Sequence, residues 1–188
     1  MKKLIAIILI IALFLPVTSL ADYSPGLKMT MNDFLLKYNA IQAALEAPYK
    51  MLAKAESWTT WNEYHIAWFT ADKDSKITIL LMTKDPSDAQ MLTSGLDSVQ
   101  IFAKTETDLV PLISVTNRCA SVFAVQMFGT SFAPQIITNT ISFYYENNCK
   151  EKQLTAYNSL DENQELALSF FIDGNFPYFD ISPLDAVN

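Results

Sequence analysis

The stretch that decides the fold is YHIAWFT (64–70). It is followed by ADKDS (71–75) and then by KITILL (76–81). In the first segment Tyr64, Ile66 and Trp68 alternate with His65, Ala67 and Phe69. In the third, apolar side chains recur at 77, 79 and 81. Alternation with a period of two is typical of a strand, and the polar segment between is typical of a turn. The sequence therefore predicts a β-hairpin here, the strongest in the chain.

A helix is predicted before this hairpin. Thr30 and Asp33 form an approximate capping box, with Asp in place of the usual Glu or Gln. Apolar residues then follow at helical spacing up to Pro48, namely Phe34, Tyr38, Ile41 and Leu45.

After the hairpin, a third strand is predicted over 99–103. Two helices follow, one from Asp108 to about Gly129 and one from Ser131 to about Asn147. A second hairpin joins 154–157 to 166–172, and an aromatic tail, Phe176–Phe179, comes after it. The order is α-β-β-β-α-α-β-β without any βαβ repeat, which predicts an α+β fold with an antiparallel sheet of about five strands and helices packed on it.

The first residues have the pattern of a secretory signal peptide. Lys2 and Lys3 precede twelve consecutive apolar residues, and Pro16 then breaks the segment before Ser19 and Ala21. Twelve residues of helix rise roughly 18 Å, well short of a ~30 Å hydrocarbon core. We therefore predict a signal peptide at 1–21, cleavage before Asp22, and a single α+β domain at 22–188 in the periplasm or outside the cell, without a stable membrane span.

The charge of the chain narrows the range of partners. The formal net charge is −7, and removal of the leader takes away two lysines and no acid, which moves it to −9. No cluster of basic residues occurs either, so the sequence argues against nucleic acid and anionic membranes as partners.

Export also bears on the two cysteines, Cys119 and Cys149. An oxidising compartment favours a disulfide between them, although two buried free thiols or one reactive thiol remain alternatives. If the two middle helices were straight and antiparallel, the cysteines would be offset by about 12 Å of helix, too far for a bridge. Either the third helix ends early and folds back, or the thiols stay apart.

The segment Met29–Ala40 carries the one resemblance in the chain, with Phe and Tyr-Asn at a particular spacing after a leader. It resembles the opening helix of small exported bacterial proteins of uncharacterised function. That resemblance implies a bacterial source and helices over a sheet, and it brings no catalytic residue with it.

The sequence contains no recognisable catalytic set, cofactor motif or metal site. His65 is the single histidine and lies in a predicted strand, so we interpret it as structural. The chain has four glycines and no phosphate-binding pattern, and Lys76 stands where a calcium loop starting at Asp72 and Asp74 would need an oxygen ligand. Paired carboxylates stay open, since twenty acids guarantee that some pair lies within the range a glycosidase uses.

Aromatic residues are the remaining anomaly. All three tryptophans lie within eleven residues, and aromatic side chains are enriched at recognition surfaces. The alternative is that Trp58, Tyr64 and Trp68 share a strand face and fill the core. The candidate binding residues are Trp58, Trp61, Tyr64, Trp68, Phe176, Tyr178 and Phe179.

From these features we predict an exported, non-enzymatic domain that binds a protein or small ligand of unknown identity, with no cofactor. The alternative is a cell-envelope hydrolase that uses paired carboxylates. A structural envelope component that associates with itself is a third class.

Overall fold

The computed structural model describes residues 26–45, 49–85, 92–124, 134–158 and 165–187. The predicted leader at 1–21 and the cleavage point before Asp22 lie outside these residues. The predicted helix boundaries at Pro48, Gly129 and Ser131 also lie outside them, as does the predicted turn at 159–163.

Seven antiparallel strands form one sheet in the described part of the chain. They are β1 (Ser57–Trp61), β2 (Tyr64–Thr70), β3 (Ile77–Thr83), β4 (Ser98–Ala103), β5 (Gln153–Asn158), β6 (Glu165–Asp173) and β7 (Phe176–Pro183). Their order across the sheet is β1-β2-β3-β4-β7-β6-β5. The α+β class and the antiparallel sheet are thus confirmed, but the prediction of about five strands is too low, since β1 and β7 join the sheet as well.

The β2–β3 hairpin is confirmed, and its turn is closed by one buried carboxylate. Asp72 accepts hydrogen bonds from the backbone N–H of Lys76 at 2.8 Å and of Ile77 at 2.9 Å. Ser75 takes a left-handed conformation with φ of 55°. Asp72 therefore has a structural role in this turn.

Three α-helices are described, α1 (Met31–Ala44), α2 (Leu109–Ala124) and α3 (Pro134–Glu146), together with two short 3₁₀ helices, Glu106–Asp108 and Leu184–Val187. The capping box of α1 is confirmed, because the Thr30 hydroxyl accepts from the Asp33 N–H at 3.1 Å and the Asp33 carboxylate accepts from the Thr30 N–H at 3.3 Å. The apolar stripe is confirmed at Phe34 and Tyr38 but not at Leu45, which is exposed because α1 ends one residue earlier.

The helices pack on one side of the sheet, here called the helix face, and the opposite side is called the outer face. Because side chains alternate along a strand, each strand contributes to both faces. The side chains of the helix face are buried in the main core with those of α1, α2 and α3; they include Ala67, Phe69, Ile77, Ile79, Leu81, Val99, Ile101, Leu168, Phe170, Phe179 and Ile181.

The structure corrects the predicted disulfide, because Cys119 and Cys149 are both free thiols. Cys119 lies within α2 and is fully buried in the main core, whereas Cys149 is exposed in the turn after α3. Burial raises the pKa of the Cys119 thiol. The two sulfurs occupy different environments, which agrees with the alternative in which the thiols stay apart.

None of the helices within the described ranges has the length and apolar character that a membrane crossing requires.

Candidate functional site

Pairing of the strands brings aromatic side chains from distant parts of the chain together on the outer face. Trp68 of β2 lies opposite Leu80 of β3, and Thr78 of β3 lies opposite Phe102 of β4. Phe102 in turn lies opposite Tyr178 of β7, and the two rings stack with centroids 4.8 Å apart. These two neighbouring rows of side chains together span four strands at the end of the sheet nearest the β2–β3 turn.

A pocket of about 360 Å³ opens at this end of the outer face. Its apolar lining is formed chiefly by Trp68, Leu80, Phe102 and Phe176, and the remaining described lining residues are Ser75, Lys76, Thr78, Ala103 and Lys104. Trp68 is 38% exposed and Phe176 is 53% exposed, whereas Leu80 is buried. The pocket has the size and the largely apolar character of a small-molecule site, with polar groups confined to a few positions. We call it the turn-end pocket.

A small apolar cluster supports the pocket from the side of β2 and β3. Ile66, Leu80 and Met82 are buried together on the outer face, and Tyr64 and Phe102 pack against them. Leu80 belongs both to this cluster and to the pocket, so the pocket wall is held by packed side chains.

The far end of this cluster is occupied by an ion pair. The Lys84 ammonium lies 2.6 Å from the Glu63 carboxylate and 4.8 Å from the centre of the Tyr64 ring. The hydrogen bond to Glu63, followed by that to Tyr64, raises the pKa of Lys84. Tyr64 is therefore already engaged by a residue of the chain itself.

A buried carboxylate lies on the outer face at the β4–β7 junction. Asp180 accepts hydrogen bonds from the hydroxyls of Ser98 at 2.7 Å and Ser182 at 2.9 Å, and the Lys152 ammonium lies 3.9 Å away. Burial, and then the negative charge of Asp180, raises the pKa of Tyr178. Asp180 thus acts as the acceptor for groups of the protein.

The structure brings together some of the sequence-predicted binding residues and separates others. Trp68 and Phe176 line the turn-end pocket, and Tyr178 stacks on its wall residue Phe102. Trp61 pairs with Tyr64 on the same face and is 62% exposed, but it is not among the lining residues.

Two of the predicted residues lie on the helix face instead, away from the turn-end pocket. Phe179 is fully buried in the main core, and Trp58, opposite Ala67, is half-buried against it. The alternative that Trp58, Tyr64 and Trp68 share one core-facing surface is wrong as well, because Trp58 belongs to β1 and faces away from the other two.

Sequence reasoning missed Leu80, Phe102, Lys76 and Lys104 as members of the site. Each is an unremarkable residue within or beside a strand, and it reaches the pocket only through cross-strand pairing. The spacing of β2 and β3 around their turn was the one available signal, since it aligns Trp68 with Leu80.

His65 and possible metal ligands are the remaining candidates for chemistry. His65 lies in β2 on the helix side and is half-buried, with its Nδ1 3.2 Å from the Thr60 hydroxyl. Across the described residues, no three His, Cys, Asp or Glu side chains come together as a possible metal site.

Comparison with known proteins adds no relative: no family model, no curated protein and no solved structure matches the chain.

Proposed function

We propose that the chain is an exported binding domain that holds a small, largely apolar ligand in the turn-end pocket. The observation that carries this proposal is the pocket itself, with Trp68, Phe102 and Phe176 around one opening on the outer face. Aromatic rings offer a large apolar contact area with few rotatable bonds and stack well on flat or extended apolar groups. The exposed fractions of Trp68 and Phe176 leave apolar surface that a ligand would remove from water.

The hydrolase alternative receives no support from the described side chains. A glycosidase needs two carboxyl groups flanking a bond that is to be cleaved. No carboxylate is found among the described residues that line the turn-end pocket. Asp180, the buried acid of the outer face, is occupied by two hydroxyls of the protein. We therefore propose binding without catalysis.

Calorimetric titration of purified protein with decan-1-ol, a neutral apolar probe, tests the binding function. We expect saturable binding to the wild-type protein and about tenfold weaker binding to the Phe176→Ala variant, because the ring is a large part of the contact and each 1.4 kcal/mol is tenfold in affinity.

Phe143→Ala is the matched control, since Phe143 is a similarly exposed phenylalanine on α3 and lies outside the pocket. Equal losses in the two variants, or an absence of saturable binding to the wild type, would overturn the proposal.

Export is proposed on the leader sequence and is tested separately. We expect protein recovered from the periplasm or medium of a bacterial host to begin at Asp22. Intact protein that still starts at Met1 and stays inside the cell would contradict this part of the proposal.

A further inference from the structure

Two lysines lie side by side at the mouth of the turn-end pocket. Lys76 and Lys104 directly adjoin the last pair of the β3–β4 ladder, Ile77 with Ala103, and the Lys104 N–H donates to the Lys76 carbonyl at 2.9 Å. Both lysines line the pocket. Like charges opposite each other on antiparallel strands destabilise the pair. The two ammonium groups therefore repel each other, and a bound negative charge would reduce this repulsion.

Among the described residues, an ion pair offsets the charge of one of these two lysines. The Lys76 ammonium lies 3.8 Å from the carboxylate of Asp108, which also accepts a hydrogen bond from the Thr105 hydroxyl at 2.9 Å. Over the described ranges no carboxylate forms an ion pair with Lys104. The described residues that line the pocket therefore include two lysines and no acid, although the chain as a whole carries −7.

The pocket thus combines an apolar wall of three aromatic rings with two lysines at its mouth. A volume near 360 Å³ is close to the lower end of the range for small-molecule sites, which fits one compact ligand. An apolar body against the aromatic rings leaves an acidic group within reach of Lys104 and Lys76, and ammonium groups form their strongest hydrogen bonds with anionic oxygens.

We infer that the turn-end pocket binds a small amphipathic anion, with its apolar body against Trp68, Phe102 and Phe176 and its acidic head group between Lys76 and Lys104. The inference rests on the proposed binding function and adds the charge of the ligand to it. The asymmetry between the two lysines makes Lys104 the principal contact for the head group.

Two pairs of probes that differ only in charge test this inference by calorimetric titration at pH 7 and low salt. Decanoate is compared with decan-1-ol, and 2-naphthoate with 2-naphthalenemethanol, so that both an alkyl and an aromatic body are covered. We expect at least one acid to bind about five to ten times more tightly than its alcohol. This preference is expected to shrink as salt is added, because salt screens exposed charges.

The variants Lys104→Gln and Lys104→Arg locate the head group. Lys104→Gln should abolish the preference for the acid over its alcohol, whereas Lys104→Arg should retain the preference. Lys73→Gln is the matched control, because Lys73 is an exposed lysine of the β2–β3 turn and does not line the pocket. Urea unfolding of each variant checks that the fold is kept.

The possible outcomes separate the two proposals. If each alcohol binds as tightly as its acid, or if Lys73→Gln lowers the preference as much as Lys104→Gln, the anionic ligand is ruled out while the binding pocket stands. If neither acid nor alcohol binds and Phe176→Ala changes nothing, the binding function fails together with the inference.

Discussion

The two faces of the sheet differ in what surrounds them, although the same strands build both. In β2, Phe69 points to the helix face and is 2% exposed, whereas its neighbour Trp68 points to the outer face and is 38% exposed. The helix face carries aliphatic and aromatic side chains in the main core, while the outer face combines aromatic side chains with the hydrogen-bonded Asp180 group. A strand made of mostly apolar residues therefore fills the core on one side and leaves a partly exposed aromatic residue on the other.

The largest expected effect comes from the two neighbours in β2. Phe69→Ala should lower the free energy of unfolding by about 3–5 kcal/mol, because it leaves a cavity in the main core. Trp68→Ala should lower it by less, because Trp68 is already 38% exposed to water. Urea unfolding of the two variants measures both, and a larger loss for Trp68→Ala would contradict the proposed division between the faces.

A smaller effect is expected at the polar group of the outer face. Asp180→Ala should cost about 2 kcal/mol, since the Ser98 and Ser182 hydroxyls lose a charged acceptor in a buried place. Asp180→Asn should cost less, because its amide oxygen still accepts one hydrogen bond. Asp185→Ala, at an exposed position in the short 3₁₀ helix Leu184–Val187, serves as the control and should be nearly neutral. A neutral Asp180→Ala would show that the outer face tolerates loss of this carboxylate.

The free energy of unfolding should also depend on alkaline pH, because the main core contains a buried thiol. Because burial raises the pKa of the Cys119 thiol above its ordinary 9.0, the folded protein retains this proton at a pH at which the unfolded chain releases it. The contribution of this thiol to the free energy of unfolding is fully present below pH 9. Above pH 9 the free energy of unfolding falls by up to about 1.4 kcal/mol per pH unit. Burial raises the pKa of Tyr38 as well, which adds to the loss from about pH 10.

Urea unfolding at pH 8, 9 and 10 measures this slope in the wild type and in Cys119→Ala. The variant should be less stable at pH 8 but lose less between pH 9 and 10, because it lacks the buried thiol. Parallel pH profiles for the two proteins would refute the role of Cys119.

The difference in burial between Cys119 and Cys149 predicts how the two thiols react. A thiol reagent should modify Cys149 in the native protein and reach Cys119 only after unfolding, since the first is exposed and the second fully buried. Cys149→Ser should remove the native reaction. Recovery of no free thiol under denaturing, non-reducing conditions would instead establish a disulfide.

The smallest effect on stability is expected at Trp61, in the edge strand β1. Trp61→Ala should change the free energy of unfolding by no more than about 0.5 kcal/mol, because the side chain is 62% exposed. A tryptophan on an edge strand also offers a surface for a second copy of the chain. Sedimentation of the wild type and of Trp61→Ala tests whether Trp61 holds two copies together. A dimer that forms in the wild type and is lost in the variant would assign β1 to self-association.

Local patterns were enough to predict much of the fold. The β2–β3 hairpin, the capping box of α1 and the strands near 99–103, 154–157 and 166–172 depend on spacing within a short segment, and each is confirmed. Leu112, Cys119 and Phe123 of α2 are buried as the helical spacing predicts.

The two missed strands lack such a pattern. β1 is five residues long and mostly exposed, so it has little alternation of burial. β7 contains Pro177 and Pro183, and a proline argues against a central strand because it has no N–H to donate. Both prolines lie within the pairing of β7 with β6 but outside its pairing with β4, which runs from Tyr178 to Ile181, so the ladder with β4 needs no donor from either.

The site was harder to predict than the fold. Its aromatic character was visible in the residues around Trp68 and Phe176, but Phe102 and Lys104 belong to it only because β4 pairs with β3. Likewise, nothing in the local sequence separates Phe179 from Tyr178; the register of β7 directs one ring into the core and the other to the outer face.

The position of β7 between β4 and β6 has a consequence for the order in which the protein can fold. Strands β1 to β4 are consecutive neighbours, and so are β5 to β7, but the contact that joins these two groups brings together residues 82 positions apart, Ser98 and Asp180. Closing so long a loop is slow compared with forming a hairpin. A nascent chain therefore cannot complete its sheet until Phe176–Pro183 has been synthesised.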